Sequence, residues 1–225
     1  MHWVYYFGRV LIRILAFPVA SWEVKGRENV PEQGPVLIVC NHLHVADPPI
    51  IAASIKLKAV FMAKEELFLQ RWSRFWVGHF GAFPVRRSGG DREAFRQAEH
   101  WLKRGVSLIM FPEGRRSGNA QLIAALPGAA LIASRTGVPI LPVGITGTEK
   151  LYNLKWCFFH HPKITVNIGQ PFNPPATDGK LTRAELYQLT DSIMGHIAGL
   201  LPPEYHGVYA RGKSLTHRPS ENNCP

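Results

Sequence analysis

The sequence predicts an α/β fold: a mixed, largely parallel sheet flanked by helices, with an amphipathic helix ahead of it. Short apolar runs of strand length recur at 35–40 (PVLIVC), 59–63 (AVFMA), 107–111 (SLIMF), 139–145 (PILPVGI) and 163–169 (KITVNIG). Segments of helical spacing lie between them, and strands alternating with helices favour a sheet covered by helices. The composition permits it, since 46% hydrophobic residues in a chain of 225 can fill the core of one domain.

The elements can be justified in order. Residues 1–20 are rich in aromatic and aliphatic side chains but contain Arg9 and Arg13. The stretch therefore lacks the ~18 charge-free apolar residues of a spanning helix. A signal peptide would put its charge before the apolar core, whereas these arginines sit inside it. On a helix Arg9 and Arg13 share one face, and Trp3, Phe7, Val10, Leu11, Ile14 and Leu15 largely take the other. This pattern suits a helix lying in a membrane interface, because its non-polar face is unusually aromatic, with an amphipathic helix packed on the domain as the alternative. Further on, DREAFRQAEHWLKRG (91–105) presents Ala94, Phe95, Ala98, Trp101 and Leu102 to one side and stops at Gly105. PGAALIASRTG (127–137) opens on Pro and closes on Gly, and 181–200 is a longer amphipathic segment. From Pro202 the chain turns polar, so 202–225 reads as a fraying, solvated basic tail that includes His206.

Charge and cysteine usage narrow the function. Lys and Arg number 26 against 16 Asp and Glu, a formal net charge of +10. That excess implies an anionic partner. Nucleic acid is disfavoured, because the basic residues cluster in short motifs instead of forming a stripe with aromatics. Cys40, Cys157 and Cys224 are odd in number and far apart, which suggests reduced thiols and neither a disulfide framework nor structural zinc.

Chemistry concentrates in three places. NHLHVADP (41–48) follows the first apolar run, where ligands of open α/β sheets tend to bind. Four residues separate His42 from Asp47, and a carboxylate folding back across such a turn would fix the imidazole tautomer and leave the other nitrogen to take a proton. The nucleophile would then have to be a substrate hydroxyl. Two other readings stand beside this one: His42 and His44 as metal ligands with Asp47, disfavoured because no supporting cluster exists, or Asn41 and Asp47 as turn and cap residues. FPEGRRSG (111–118) joins an acid, a glycine and two arginines. There Gly114 would let backbone amides approach an anion, and Arg115 and Arg116 could bond a phosphate. GAFPVRRSGG (81–90) again ends an apolar run with two arginines.

In order, these blocks resemble the glycerolipid acyltransferase family, which includes the 1-acyl-glycerol-3-phosphate acyltransferases. The family signature is NHxSxxDP, then G-x-F/I-x-V-x-R, FPEGTRS and VPI-x-PV. This chain has NHLHVADP at 41–48, GAFPVRR at 81–87, FPEGRRS at 111–117 and VPILPV at 138–143, with FMAKEELF at 61–68 matching a segment between the first two. The likeness covers roughly residues 22–170. It departs at His44 (usually Ser), Arg115 (usually Thr) and Arg86 (usually Asp or neutral).

The resemblance implies transfer of an acyl group from acyl-CoA or acyl carrier protein to a lysophospholipid hydroxyl, with 1-acyl-glycerol-3-phosphate as acceptor. It implies His42 as general base and Asp47 as its partner. Arg87, Glu113, Gly114, Arg116 and Ser117 would bind the acceptor, with Lys64 matching the lysine of FMAKEEL and Pro139 on the donor side. No metal and no cofactor are implied. The domains would be 1–20 for membrane association, 21–201 for acyl transfer and 202–225 as tail. The expected place is the cytoplasmic face of a membrane, peripheral or monotopic, against an anionic surface. A non-catalytic lipid binder on the same fold is the alternative.

Overall fold

A computed structural model describes residues 18–64, 81–85, 92–176 and 181–210. Seven strands make one sheet: β1 (Ser21–Lys25), β2 (Leu37–Cys40), β3 (Ala59–Lys64), β4 (Ala82–Val85), β5 (Ser107–Met110), β6 (Ile140–Thr146) and β7 (Lys163–Ile168). Their order is β1-β7-β6-β2-β5-β3-β4. Strands β6, β2, β5, β3 and β4 run parallel, and β7 pairs antiparallel with β6 while β1 runs parallel to β7. The mixed, largely parallel sheet expected from the sequence is therefore present. All five apolar runs are strands. β1 and β4 were not among them: SWEVK carries Glu23 and Lys25 and is only partly buried, and AFPV entered only as the apolar run ahead of the arginines in GAFPVRRSGG.

Alternation sorts the core into two layers. Leu37 and Val39 of β2 face one side of the sheet, Ile38 and Cys40 the other, and all four are wholly buried. On the Ile38 side the sheet is covered by α1 (Asp47–Ser54), through Ile50, Ile51 and Ala52. On the Leu37 side lie α2 (Arg92–Lys103), α3 (Gly128–Thr136) and α5 (Arg183–Ala198). α2 buries Ala94, Ala98 and Leu102, a four-residue spacing that keeps one stripe on the sheet. α5 starts with a capping box, the Thr182 hydroxyl accepting from Glu185 N–H and the Glu185 carboxylate accepting from Thr182 N–H. A short helix not anticipated from sequence, α4 (Leu154–His160), joins β6 to β7.

The sequence-based boundary at 202 needs correction. Residues 203–205 and 207–209 form two 3-10 turns held to the loop after β5: Leu122 N–H donates to Tyr205 O, Val208 N–H to Leu122 O, and Ala125 N–H to the Tyr209 hydroxyl. His206 is half-buried with Nε2 at 2.9 Å from Leu201 O, so it is not solvated tail. The aromatic pair Tyr205 and Tyr209 outweighs the polar neighbours that made the stretch look frayed. The expected N-terminal helix, the Arg86–Arg87 pair and the tail from 211 lie outside the described residues.

This topology fixes where a site can form. The carboxyl ends of β2, β3, β4, β5 and β6 share one edge of the sheet, and the chain turns from β2 into α1 and leaves β5 there.

Candidate active site

Beyond Cys40 the backbone leaves the sheet, and Asn41 ties it down. The Asn41 amide donates to Ile145 O (2.9 Å) and its carbonyl accepts from Ile145 N–H (2.8 Å), bonding the turn to β6. The next residue, His42, is thus delivered to the carboxyl edge. Asp47 opens α1 and is completely buried, where a carboxylate also suits the positive end of the helix. Its Oδ2 accepts from Leu43 N–H and His44 N–H, both at 2.7 Å, and lies 2.9 Å from His42 Nδ1. An oxygen already receiving two N–H donors accepts from the third as well, so Nδ1 carries a proton and Nε2 is the ring nitrogen left free of Asp47. The His42 ring stacks on Phe111 at 4.2 Å between centroids, which fixes its plane.

The loop after β5 closes on this turn. Glu113 is 3% exposed; Oε1 accepts from His42 N–H (3.0 Å) and Oε2 from Ile123 N–H (3.3 Å). Burial, opposed by those two bonds, raises its pKa to about 7. Ser117 N–H donates to His42 O at 2.7 Å, and the buried Ser117 hydroxyl lies 2.6 Å from Gln121 O. Gly114 sits at φ 68°, where a side chain would be strained. Its own N–H donates to Phe111 O, so the glycine supplies the left-handed turn of the loop and its amide is not offered to an anion. Arg115 and Arg116 are exposed beside this turn.

The structure therefore brings together His42, Asp47, Glu113, Gly114, Arg116 and Ser117. Lys64 closes β3 at the same edge, its backbone level with Asn41 through the Phe61–Ile109–Ile38 register. Pro139 is not brought to the site. It precedes β6 at the opposite edge, accepting from Leu37 N–H, four residues or roughly 13 Å from the level of Cys40. Arg87 follows β4, whose carboxyl end is on the site's edge, but itself lies outside the described residues.

Sequence reasoning missed Phe111 as the ring behind His42 and Asn41 as a tie to β6. The FPEG block contained the first, whereas the second depends on a partner 104 residues away. The ligand reading of His42-x-His44 meets two bonded nitrogens. His42 Nδ1 is on Asp47, and His44 Nδ1 accepts from Ala46 N–H at 3.3 Å. Burial, offset by Asp47, lowers the His44 pKa and favours the neutral ring. Among the described residues no group of three His, Cys, Asp or Glu is disposed to hold a metal ion.

A histidine–aspartate pair at the carboxyl edge, locked to an FPEG loop, defines a class. Residues 21–146 match the family model described as Acyltransferase, and the chain belongs to that family. Among particular relatives, the 1-acyl-sn-glycerol-3-phosphate acyltransferase of Streptococcus pneumoniae is 34% identical over 161 residues, 68% of this chain and 58% of that protein. The Bacillus subtilis protein of the same name is 25% identical over 179 residues, 79% of this chain and 87% of its own. The crystal structure of the 1-acyl-sn-glycerophosphate acyltransferase PlsC from Thermotoga maritima shares the fold at a TM-score of 0.67 and 27% identity, covering 88% of this chain and 76% of that one. The chain spans about half the length of several curated relatives it matches.

Proposed function

We propose that this protein transfers a fatty acyl group from an acyl thioester to the free hydroxyl of a lysophospholipid, with 1-acyl-glycerol-3-phosphate as acceptor and phosphatidic acid as product. The observation that supports it most directly is Asp47 Oδ2 at 2.9 Å from His42 Nδ1, beneath a ring already oriented by Phe111. The names of the relatives supply the substrate class.

In this reading Nε2 of His42 takes the acceptor hydroxyl proton as its oxygen attacks the thioester carbonyl. The tetrahedral species collapses with cleavage of the C–S bond, and the imidazolium returns its proton to the departing thiolate. Asp47 holds the tautomer and stabilises the imidazolium. Arg87 and Arg116 hold the acceptor phosphate so that its hydroxyl meets His42, which is catalysis by positioning. Glu113 and Ser117, with their polar groups turned onto backbone, keep the two loops in register. The donor is acyl-CoA or acyl carrier protein, and the reaction needs no metal or redox cofactor. The enzyme works as a peripheral or monotopic protein at the cytoplasmic face of an anionic membrane. No helix among the described residues is long and apolar enough to cross one.

The test is thiol release by purified protein with lysophosphatidic acid and each donor type. Wild type should release one free thiol per ester formed. His42→Ala should lower the rate by at least ~100-fold with an unchanged circular dichroism spectrum. A folded His42→Ala variant within a few-fold of wild type would overturn the mechanism, and lipid retained by the wild type without thiol release would overturn acyl transfer in favour of a binder.

A further inference from the structure

Exposed apolar side chains are unevenly distributed over this molecule. Among the described residues, the large hydrophobic side chains left in solvent are Val45, Leu126, Tyr152, Phe158, Phe159 and Val208. Val45 belongs to the turn after β2, Leu126 to the loop after β5, and Val208 is bonded to that loop through Leu122. The other three lie between β6 and β7. Five of the six thus belong to connections at the carboxyl edge, the edge that holds His42, and Val208 is bonded to one of those connections.

The β6–β7 connection is the densest part. Gly147 turns the chain out of β6 at φ 87°, where a Cβ would run into Lys163 O, so the segment is aimed away from the sheet. Among the described side chains of α4 Cys157 is the fully buried one, and it anchors the helix by donating to Lys150 O. Around that anchor Tyr152 is 72% exposed, Phe158 54% and Phe159 80%. Trp156 stacks between Tyr152 and His160, with centroids at 6.0 and 4.4 Å. Residues 150–163 contain Lys150, Lys155 and Lys163, with His160 and His161, and no Asp or Glu. Lys163 is engaged by Glu23 at 2.8 Å, while Lys150 and Lys155 are exposed.

Rings kept in water against the hydrophobic effect and flanked by the exposed Lys150 and Lys155 have the chemistry of a bilayer interface, where aromatic rings sit at headgroup depth and lysines meet anionic lipid. β1 begins beside this helix, with Ser21 N–H donating to Pro162 O, so the polypeptide ahead of β1 also joins at this edge. We propose that the α4 connection, residues 150–161, is a docking surface for an anionic lipid bilayer, which orients the His42 edge toward the membrane. The proposal deepens the lipid-acceptor reading and rests on it for the identity of the surface. A complementary protein face would need acids to match these lysines and would leave unexplained why the rings share an edge with a lipid site.

The experiment uses the full chain with Phe158→Ser/Phe159→Ser, and separately Lys150→Glu/Lys155→Glu. Co-sedimentation is measured with vesicles of phosphatidylcholine and phosphatidylglycerol at 70:30 and with phosphatidylcholine alone. The serine pair should lower partitioning to anionic vesicles by at least about tenfold. The glutamate pair should lower it chiefly at low salt, because attraction between exposed charges is screened within ~10 Å at 0.1 M. Thiol release with a short-chain acceptor below its micellar concentration should stay within twofold of wild type in both variants, while turnover of vesicle-bound acceptor falls. That soluble assay separates the two readings, since its failure in wild type would sink acyl transfer and leave docking standing. Wild-type partitioning by both variants would overturn the proposal. So would a serine pair that changes the mass in analytical ultracentrifugation but not vesicle binding, because the patch would then join copies of the chain.

Discussion

Glu113 has both carboxylate oxygens on backbone N–H groups, those of His42 and Ile123, with the side chain almost wholly removed from water. A group so placed holds the backbone of His42, the base of the proposed mechanism, and it has little left to offer a substrate. Glu113→Gln replaces one acceptor oxygen by an NH2 and leaves one of those N–H groups facing another donor, at a cost of roughly 1–3 kcal/mol. The expected kinetic result is a kcat lowered at least ~10-fold with the acceptor KM within about twofold, because the base is displaced while the phosphate site is intact. A raised KM with kcat preserved would return Glu113 to the substrate. The same residue predicts a pH effect. Burial lifts its pKa from 4.5 to about 7, so between these values the native state holds a proton that the unfolded chain has released. Its contribution to stability is therefore present at low pH and is lost as pH rises through that window. Urea midpoints at pH 5 and pH 8 check this, and the difference between them should shrink in Glu113→Gln, which has no proton to lose there.

The turn between β2 and α1 depends on its tie to β6 more than on its own sequence. Asn41 satisfies both backbone groups of Ile145 in a buried setting. Asn41→Ala should destabilise the protein by about 2–6 kcal/mol, since two buried groups each lose a partner at roughly 1–3 kcal/mol. Chemical denaturation measures it, and a loss under about 0.5 kcal/mol would mean that the turn is held by other contacts. The elements themselves were largely legible. Runs buried on both faces, such as LIVC, announce parallel strands, and the Ala94-Ala98-Leu102 stripe announces α2. β1 and α4 escaped because one alternates weakly and the other, among its described side chains, sets one buried residue, Cys157, beside exposed aromatics. Residues 203–209 escaped because their order comes from distant partners, Leu122 and Ala125, and not from local periodicity.

At the scale of the whole molecule, the parallel run of β4, β3 and β5 puts the chain that follows β4 and the loop that follows β5 at one edge. The proposed clamp on the acceptor phosphate uses Arg116 of that loop together with Arg87, which lies outside the described residues, since a guanidinium fork bonds a phosphate monoester through two N–H groups. Arg116→Ala should raise the acceptor KM at least ~10-fold and lower kcat, because a loosely held phosphate also misplaces the hydroxyl. The donor KM should stay within about twofold. Arg116→Lys, which keeps charge without the fork, should fall between. The measurement compares phosphorylated and dephosphorylated acceptors for wild type, Arg87→Ala and Arg116→Ala at matched donor concentration. An unchanged preference in both variants would pass the clamp to Arg86 and Arg115.

By itself the sequence determined the positions of β2, β3, β5, β6 and β7 and the residue types of the site, because these rest on local periodicity and spacing. Four residues between His42 and Asp47 are enough for a carboxylate to reach back across one turn. Only the tertiary structure decided which blocks meet. Glu113 and Ser117 reach His42 across 71 and 75 residues because β5 lies beside β2 in parallel, an adjacency set by burial on both faces of the sheet and written in no single segment. The same packing sends Pro139 to the far edge, since a residue just before a parallel strand must sit opposite the residues that follow its neighbour.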